Sequence, residues 1–517
     1  MRAVSLGHAG ILINSGESRI LCDPWFVPAF FGSWFVFPRN DQLSPDLLAE
    51  IESPTHLYIS HIHGDHFDEA FLADHVSREA VVLLPDFPSQ ELERRLAVLG
   101  FKNFLKTKNG QEISIDSCTK IAIHVETSIT DGPGGDSALV VSDGETRLVN
   151  QNDCRTGNLN ALIEHGPVDL HWLQYSGAIW YPMVYEDNNE TKQKLATAKV
   201  ESQFARALKY VETLNARAVV PSAGPPCFLD ESLFHLNVIN GDEISIFPDQ
   251  REFMNRLKKI NRANDILAVP GTVIDISSDS ITVAHPKNIE IENIFDHKKQ
   301  YLRDYQADWA TWLTAEKLRW AIEPTDLIST LRVWFDPLMA LAPALRNGIG
   351  ANCLIKTDDL DILINFKTGT VEKFETQEFG FRFTIPRDLL ETIVGQRAVD
   401  WSNSFFLSCR FSAWRSGEFN EYLYNFFKSL SVERIQRTEA EAASRLKVNS
   451  DLSEEIQLGE YVMQRKCPHR EADLSVFGEI NGQELTCSLH GWRFDLNDGH
   501  CLNAENRPLR VRRRTSY

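Results

Sequence analysis

A chain of 517 residues is too long for one hydrophobic core and implies two to four domains. Hydrophobic residues at 43% and charged ones at 24% describe an ordinary folded protein, and the lack of any apolar run of about 18 residues argues against a membrane span. A net charge of −19 disfavours a nucleic-acid binder, whose affinity rests on neutralising phosphates, while leaving room for a locally basic pocket that takes an anionic small substrate.

The opening stretch MRAVSLGHAG lacks the charged end and long apolar segment of a signal peptide, so a cytoplasmic protein with no membrane partner is expected. GILINSGESRILCDPWF reads as a hairpin turned at Ser15-Gly16, and SALVVSDGETRLVN as another turned at Asp143-Gly144. THLYIS is a strand running into the histidine-rich ISHIHGDHF, and EAVVLLPD is a further strand. SQELERRLAVLG and QKLATAKVESQFARALKYVETLNA carry helical apolar spacing. Residues 1–250 therefore read as a layered α/β domain with its polar clusters in the loops that follow strands.

From 251 to 440 the texture changes to an α+β domain expected to pack or to shape a substrate site. It contains the aromatic helix DYQADWATWLTAEKLRWA, the hairpin LDILINFKTGTVEKFE and the helix SGEFNEYLYNFFKSL. SVERIQRTEAEAASRLKVNSD then reads as a helical connector. The last segment, 441–517, holds the linker and KCPHREADLSVFGEINGQELTCSLHGWRFDLNDGHC, and ends on the basic tail RPLRVRRRTSY. There is no internal repeat and no low-complexity tract.

Two motifs carry chemistry. In the last segment Cys467-x-His469 precedes Cys487-x-x-His490 across a 17-residue gap. One Cys and one His from each loop is what a Rieske 2Fe–2S centre needs, with thiolates on the iron that stays ferric and imidazoles on the iron that is reduced. The segment resembles the all-β Rieske fold, and CPH with CSLHGW is far more specific than the spacing of a Cys2His2 zinc site. Its loops lack the extra cysteines of the respiratory-complex type, which points to the lower-potential class. The remaining cysteines of the nine, among them Cys22, Cys118 and Cys501, are expected to be buried thiols.

The other motif is His61-x-His63-x-Asp65-His66, the H-x-H-x-D-H pattern of the metallo-β-lactamase superfamily. A tight loop after a strand turns His61 and His63 towards one metal and Asp65 and His66 towards a second. Asp153, in LVNQNDC, fits a bridging carboxylate at a later strand end. His124, in IAIHVET, is the candidate third histidine of the first site. The second site lacks a histidine where the superfamily usually has one, in AVVPSAGPPCF, so His235 or Asp136 are the substitutes, and one metal or two remain open. His8 is assigned to a supporting or structural role, and His56, His75, His165, His171, His285, His297 and His500 to ordinary hydrogen bonds.

Only 27 residues follow His490, too few for the mononuclear iron domain that lies downstream of the cluster in ring-hydroxylating enzymes. Electrons must then go to the upstream cluster or to another chain. GHAGILINSGESRILCDPWFVPAF, YISHIHGDHF, LVNQNDCR, VVPSAG and DLLETIVGQRAVDWSNSFFLSCRF together resemble CMP-N-acetylneuraminate hydroxylase in order and character. The resemblance implies a metallo-β-lactamase-like αββα iron domain joined to a Rieske centre, dioxygen as co-substrate, and electrons from a reductase with a ferredoxin or cytochrome. That family carries its Rieske domain N-terminally, whereas here it is C-terminal, so the architecture carries over and the sialic acid substrate does not.

Zinc has no accessible redox change, so a site fed by a Rieske cluster is expected to hold iron. The expected function is an NAD(P)H-dependent oxygenase, working through a separate reductase, that attacks a C–H or N–H bond of a small metabolite with iron at His61, His63, Asp65, His66 and Asp153. The alternatives are a hydrolase of the same superfamily and a flavodiiron-like oxygen-reducing protein. Because one linker joins the Rieske domain to the rest, a head-to-tail homo-oligomer with electron transfer between chains is a further expectation.

Overall fold

The computed structural model describes all residues except 129–131, 133, 178, 242, 288, 322, 447–453, 504–506 and 515–517, so the end of the connector and of the basic tail lie outside the described residues. Its first layer is an eight-stranded sheet in the order β14-β13-β1-β2-β3-β4-β5-β6. The strands are β1 (Arg2–Gly7), β2 (Gly10–Ser15), β3 (Ser18–Cys22), β4 (His56–Tyr58), β5 (Val81–Leu84), β6 (Phe104–Lys106), β13 (Val273–Ile276) and β14 (Ile281–Ala284). The second layer, in the order β12-β11-β10-β9-β8-β7, is built from β7 (Ile113–Ser114), β8 (Lys120–Glu126), β9 (Asp136–Ser142), β10 (Arg147–Asn152), β11 (Leu170–Gln174) and β12 (Ala218–Ser222). The break expected at residue 250 falls inside this unit, because the hairpin β13–β14 pairs with β1 and completes the first sheet.

Alternation along the strands dictates the layering. Ile11 and Ile13 of β2 face Ile123 of β8 and Leu139 and Val141 of β9 in the core between the sheets. Leu12 points the other way, into a second core with Ile51 of α1 (Pro45–Glu52), Phe71 of α2 (Glu69–His75) and Leu96 of α3 (Glu91–Val98). Likewise Ala122 and Val140 turn outward onto α4 (Leu159–Ile163), α5 (Asn189–Leu214) and α6 (Gln250–Lys259). Apart from the edge strands β6, β7 and β14, both sheets are buried on both faces, which gives the αββα sandwich of the metallo-β-lactamase fold. Its loops after β4 and β10 open at one edge. α7 (Ile291–Asp296) and α8 (Lys298–Leu318) pack beside it on Phe35, Phe37 and Leu229.

The middle unit is a five-stranded sheet ordered β17-β16-β15-β18-β19, from β15 (Cys353–Lys356), β16 (Asp361–Asn365), β17 (Thr370–Lys373), β18 (Phe381–Thr384) and β19 (Ser412–Arg415). It packs with α9 (Leu327–Ala340), α10 (Pro343–Ile349), α11 (Arg387–Gly395), α12 (Glu421–Lys428) and α13 (Val432–Leu446) around an aromatic core that includes Trp334, Phe335, Trp401 and Phe426. Trp25, Trp34 and Trp180 of the sandwich belong to that same core, so the two units are fused and not merely tethered.

A buried ion triad ties α13 to the sandwich. Arg434 lies 2.8 Å from Glu91 of α3 and 3.1 Å from Asp400. Removing one partner of such a group leaves a buried charge uncompensated, which costs about 3–5 kcal/mol. Arg434→Met is therefore expected to lower unfolding stability by that amount in urea titration, with Glu91→Gln costing less because Asp400 would still hold the guanidinium.

The C-terminal Rieske unit is all-β apart from α14 (Leu474–Phe477). One three-stranded sheet is β20 (Glu455–Leu458), β21 (Tyr461–Gln464) and β25 (Val511–Arg513); the other is β22 (Gly478–Asn481), β23 (Glu484–Cys487) and β24 (Trp492–Asp495). Its Met463, Phe477 and Leu489 share one apolar core with Phe204 and Val211 of α5. The unit thus docks on the outer face of its own chain's sandwich.

Candidate metal centres

The H-x-H-x-D-H loop leaves β4 at Tyr58 and turns back on itself, with the amides of His66 and Phe67 donating to the carbonyl of His63. His61, Asp65 and His66 are buried, and His63 is half-buried. Nε2 of His61 and Nδ1 of His63 face each other at 2.7 Å. Asp153, the residue after β10, brings its Oδ1 to 3.8 Å from Nδ1 of His61 and 3.5 Å from Nε2 of His66. Ligand atoms of His61, His63 and Asp153 lie within 4.8 Å of one another, and so do those of His8, Asp65 and His66.

His8 is brought to the cluster by the turn that holds it. It sits in the turn between β1 and β2 with φ 51°, a left-handed conformation uncommon outside glycine, and points Nε2 at Oδ2 of Asp65, 3.0 Å away. It stands with Asp65 and His66, where His235 or Asp136 were expected to complete a group. His235 is exposed on a 3-10 turn. Asp136, at the start of β9, stands 3.4 Å from Nδ1 of His61, beside the first group.

His124 is not brought to the cluster. It shares the outward-facing parity of Ala122 on β8, so its ring meets Gly110 and its Nε2 lies 2.7 Å from Nε2 of His165, at the end of α4. Strand parity overrides the sequence expectation. Cys118 also departs from it: the thiol is exposed in the turn before β8, whereas Cys22 and Cys501 are buried.

A supporting residue the sequence reading passed over is Asp23, in the DPW stretch. Fully buried, it accepts hydrogen bonds from the amide and hydroxyl of Ser60, both at 2.7 Å, and lies 3.1 Å from Nδ1 of His66. A carboxylate on one imidazole nitrogen fixes the tautomer and aims the other nitrogen. Nε2 of His66, so aimed, and Oδ1 of Asp153 are buried without a hydrogen bond.

The electrostatics fit a cation. Burial opposes charge on His66, yet Asp153, Asp65 and Asp23 hold its pKa up to about 10. Burial and the neighbouring His61 push His63 well below its ordinary value, and burial lowers His61 as well. Burial works against the Asp65 carboxylate, but His66 and His8 keep it well below the usual range. Neutral lone pairs on His61 and His63 suit one metal, and a second metal between Asp65 and His66 would replace a proton. Two metals fit as well as one.

In the C-terminal unit Cys467 and His469 lie in the loop after β21, and Cys487 and His490 at the turn from β23 to β24. The amide of Cys467 donates to Ala472 and that of Gly491 to Cys487, closing both loops. Both thiols are buried and the two imidazole rings are 4.9 Å apart. His469 stacks on Trp492 at 4.0 Å; its Nδ1 is buried without a hydrogen bond, while Nε2 turns towards Glu421 of α12, 3.6 Å away. Arg507 locks the same corner, donating to the carbonyls of Pro468 and His469 and pairing with Glu421 at 3.1 Å. Two thiols and two imidazole nitrogens converging in a buried pocket are the donor set of a Rieske cluster.

The two centres are neighbours. From Asp153 the chain runs through Arg155 to Gly157, where a β-carbon would stand 3.7 Å from Ala472 and Leu489 of the two cluster loops. Four residues span at most about 14 Å. α12 makes a second bridge: Glu421 meets His469 at one end, while Tyr424 and Lys428 line the cavity that holds His63, Asp65 and Asp153. Seven residue steps along a helix are about 10 Å.

The chain matches the Rieske [2Fe-2S] domain family over residues 432–512 and the family described as Rv3818-like, SCP2-like domain over 327–444. It is 41% identical over 525 residues to the "Putative Rieske 2Fe-2S iron-sulfur protein" of Mycolicibacterium smegmatis, covering 99% of this chain and 100% of that one. The chain belongs to this family of Rieske 2Fe–2S iron–sulfur proteins. Among solved structures, the metallo hydrolase Igni18 of Ignicoccus hospitalis is 16% identical, with a TM-score of 0.37 over 55% of this chain and 99% of that one. CmlA, a diiron β-hydroxylase of Streptomyces venezuelae, is 14% identical, with a TM-score of 0.35 over 55% of this chain and 54% of that one. Among the described residues no helix is long and apolar enough to cross a membrane.

Proposed function

We propose that the protein is an iron-dependent oxygenase that uses dioxygen to attack a C–H or N–H bond of a small metabolite, with electrons delivered through its own Rieske cluster from an external NAD(P)H-linked reductase, ferredoxin or cytochrome. The observation that carries this reading is the adjacency of the two ligand sets, joined by residues 153–157 and by α12. A hydrolytic centre has no use for a redox cofactor at its edge.

Iron bound at His8, His61, His63, Asp65, His66 and Asp153 would supply the oxygen chemistry. The chain's own residues orient and shield it: Asp23 and Ser60 fix the imidazoles, and Trp34, Ile179 and Leu407 line the cavity with them. Glu421 positions His469. The direct test is substrate-dependent consumption of NAD(P)H and oxygen with a surrogate reductase, screened over candidate metabolites.

The docking of the Rieske unit on its own chain favours transfer within one chain over the exchange between chains that the single linker led one to expect. Mixing Cys467→Ala chains with His61→Ala chains is accordingly expected to restore no activity. Recovery of substantial turnover in confirmed mixed oligomers would return the electron route to the subunit interface.

A further inference from the structure

We propose that the cavity beside the histidine–carboxylate cluster contains a cationic subsite, built on Lys199 and Arg155, that binds the carboxylate or phosphate group of an organic-anion substrate. The inference deepens the oxygenase reading by naming the substrate's charge, and it rests on that reading for the cavity's role as the reaction site.

The cavity, of about 90 Å³, is lined by two chemically distinct sets of residues. One is the cluster itself. The other is Lys199 of α5 and Arg155, with Lys428 of α12 contributed by the middle unit. Among the described residues, the lining contains no acid apart from Asp65, Asp136 and Asp153 of the cluster. In a chain of net charge −19, three cations gathered on one cavity are not a reflection of composition.

Lys199 is half-buried, and among the described residues its ammonium makes no hydrogen bond and no ion pair. Its charged neighbours are the guanidiniums of Arg155 and Arg206; burial first, and then these two cations, push its pKa down to about 7. An arriving anion would relieve that crowding. Arg155 is held in place for it: a β-carbon at Gly177 would come within 2.9 Å of Nη2 of Arg155 and 3.2 Å of Oε1 of Gln174, so the glycine leaves the space the guanidinium fills. Gln203, which also lines the cavity, is fixed by Ser176 at 2.8 Å and the carbonyl of Gly177 at 2.6 Å. A planar guanidinium beside an ammonium matches the oxygen geometry of a carboxylate or a phosphate. Arg155 stands two residues after Asp153, so an anion held there places the rest of the molecule against the cluster.

The test is calorimetric titration of the full, metal-loaded chain with acetate and, separately, with inorganic phosphate; the probe that binds more tightly identifies the anion class. Saturable binding of one equivalent is expected, weakened about tenfold to a hundredfold in Lys199→Met, as loss of one charge-assisted hydrogen bond implies, and recovered in Lys199→Arg. Lys194→Met, exposed on the same helix, should bind as wild type. His61→Ala, depleted of upstream metal, should still bind. Failure of both probes to bind, wild-type binding by Lys199→Met, or binding that disappears in His61→Ala would each overturn the subsite, the last by placing the anion on the metal. Because anion binding requires no turnover, failure of the metabolite screen to consume NAD(P)H and oxygen would refute the oxygenase reading and leave the subsite standing.

Discussion

Cys467→Ala protein is expected to lose the Rieske cluster, keep its upstream metal and fall to background in multiple turnover with NAD(P)H. The two ligand sets share no side chain, so the loss should be confined to the C-terminal unit and be read from the missing visible absorption and paramagnetic signal of the reduced cluster. Cys467 is buried in the core that the Rieske unit shares with α5. Cys467→Ser is therefore the companion variant, and circular dichroism the check that the fold survives. Water attack at a metal consumes no electrons. A hydrolase of the same sandwich fold would thus keep wild-type activity in either variant, and full turnover there would replace the oxygenase assignment with a hydrolytic one. This experiment separates the two readings because it removes only the electron supply.

The second large effect is expected at Asp153. Its Oδ1 reaches towards both His61 and His66, so Asp153→Ala deprives both ligand groups at once. Upstream iron should fall to at most one per chain by elemental analysis, while the two irons and two sulfides of the cluster remain. Affinity for the remaining metal should drop by more than about a hundredfold, beyond what loss of an outer hydrogen-bonding partner causes. Asp23→Asn tests that milder case: it touches His66 through Nδ1, and a loss of about tenfold to a hundredfold is expected. Undiminished iron in Asp153→Ala would show that the acid is not a ligand. Zinc upstream in protein that turns over fully would remove the redox assignment of that site.

The parts of this protein that were legible in the sequence are those where chemistry forces local spacing. Cys467, His469, Cys487 and His490 stand on two short loops whose spacing reflects one cluster, and His61 to His66 are six consecutive positions. Hairpins announced by Ser15-Gly16 and Asp143-Gly144 occur as β2–β3 and β9–β10. What was missed depends on long-range placement. His8 joins Asp65 across 57 residues through a turn whose backbone strain leaves no mark in the sequence. His124 is one strand position away from facing the inter-sheet core, and parity alone sends it to His165. The pairing of VIDI and ITVA around a serine-rich turn was open to inspection as a hairpin, but its return to β1, on the far side of the first layer, was not.

The middle unit shows the same limit from the other direction. Read as packing or substrate shaping, it contributes α12, on which Glu421 lies 3.6 Å from His469 and Lys428 lines the cavity beside the upstream cluster. Nothing in EYLYNFFK distinguishes these residues from the polar face of any amphipathic helix.

The docking of the Rieske unit against its own sandwich has a kinetic consequence. A donor site and an acceptor site fixed on one folded body meet at an effective concentration set by geometry and not by how much protein is present. On the proposed reading the internal hand-off would therefore be first order, and diluting the enzyme would leave its rate constant unchanged. Only the encounter with an external donor would be second order, so dependence on ionic strength and on donor concentration would report that step alone.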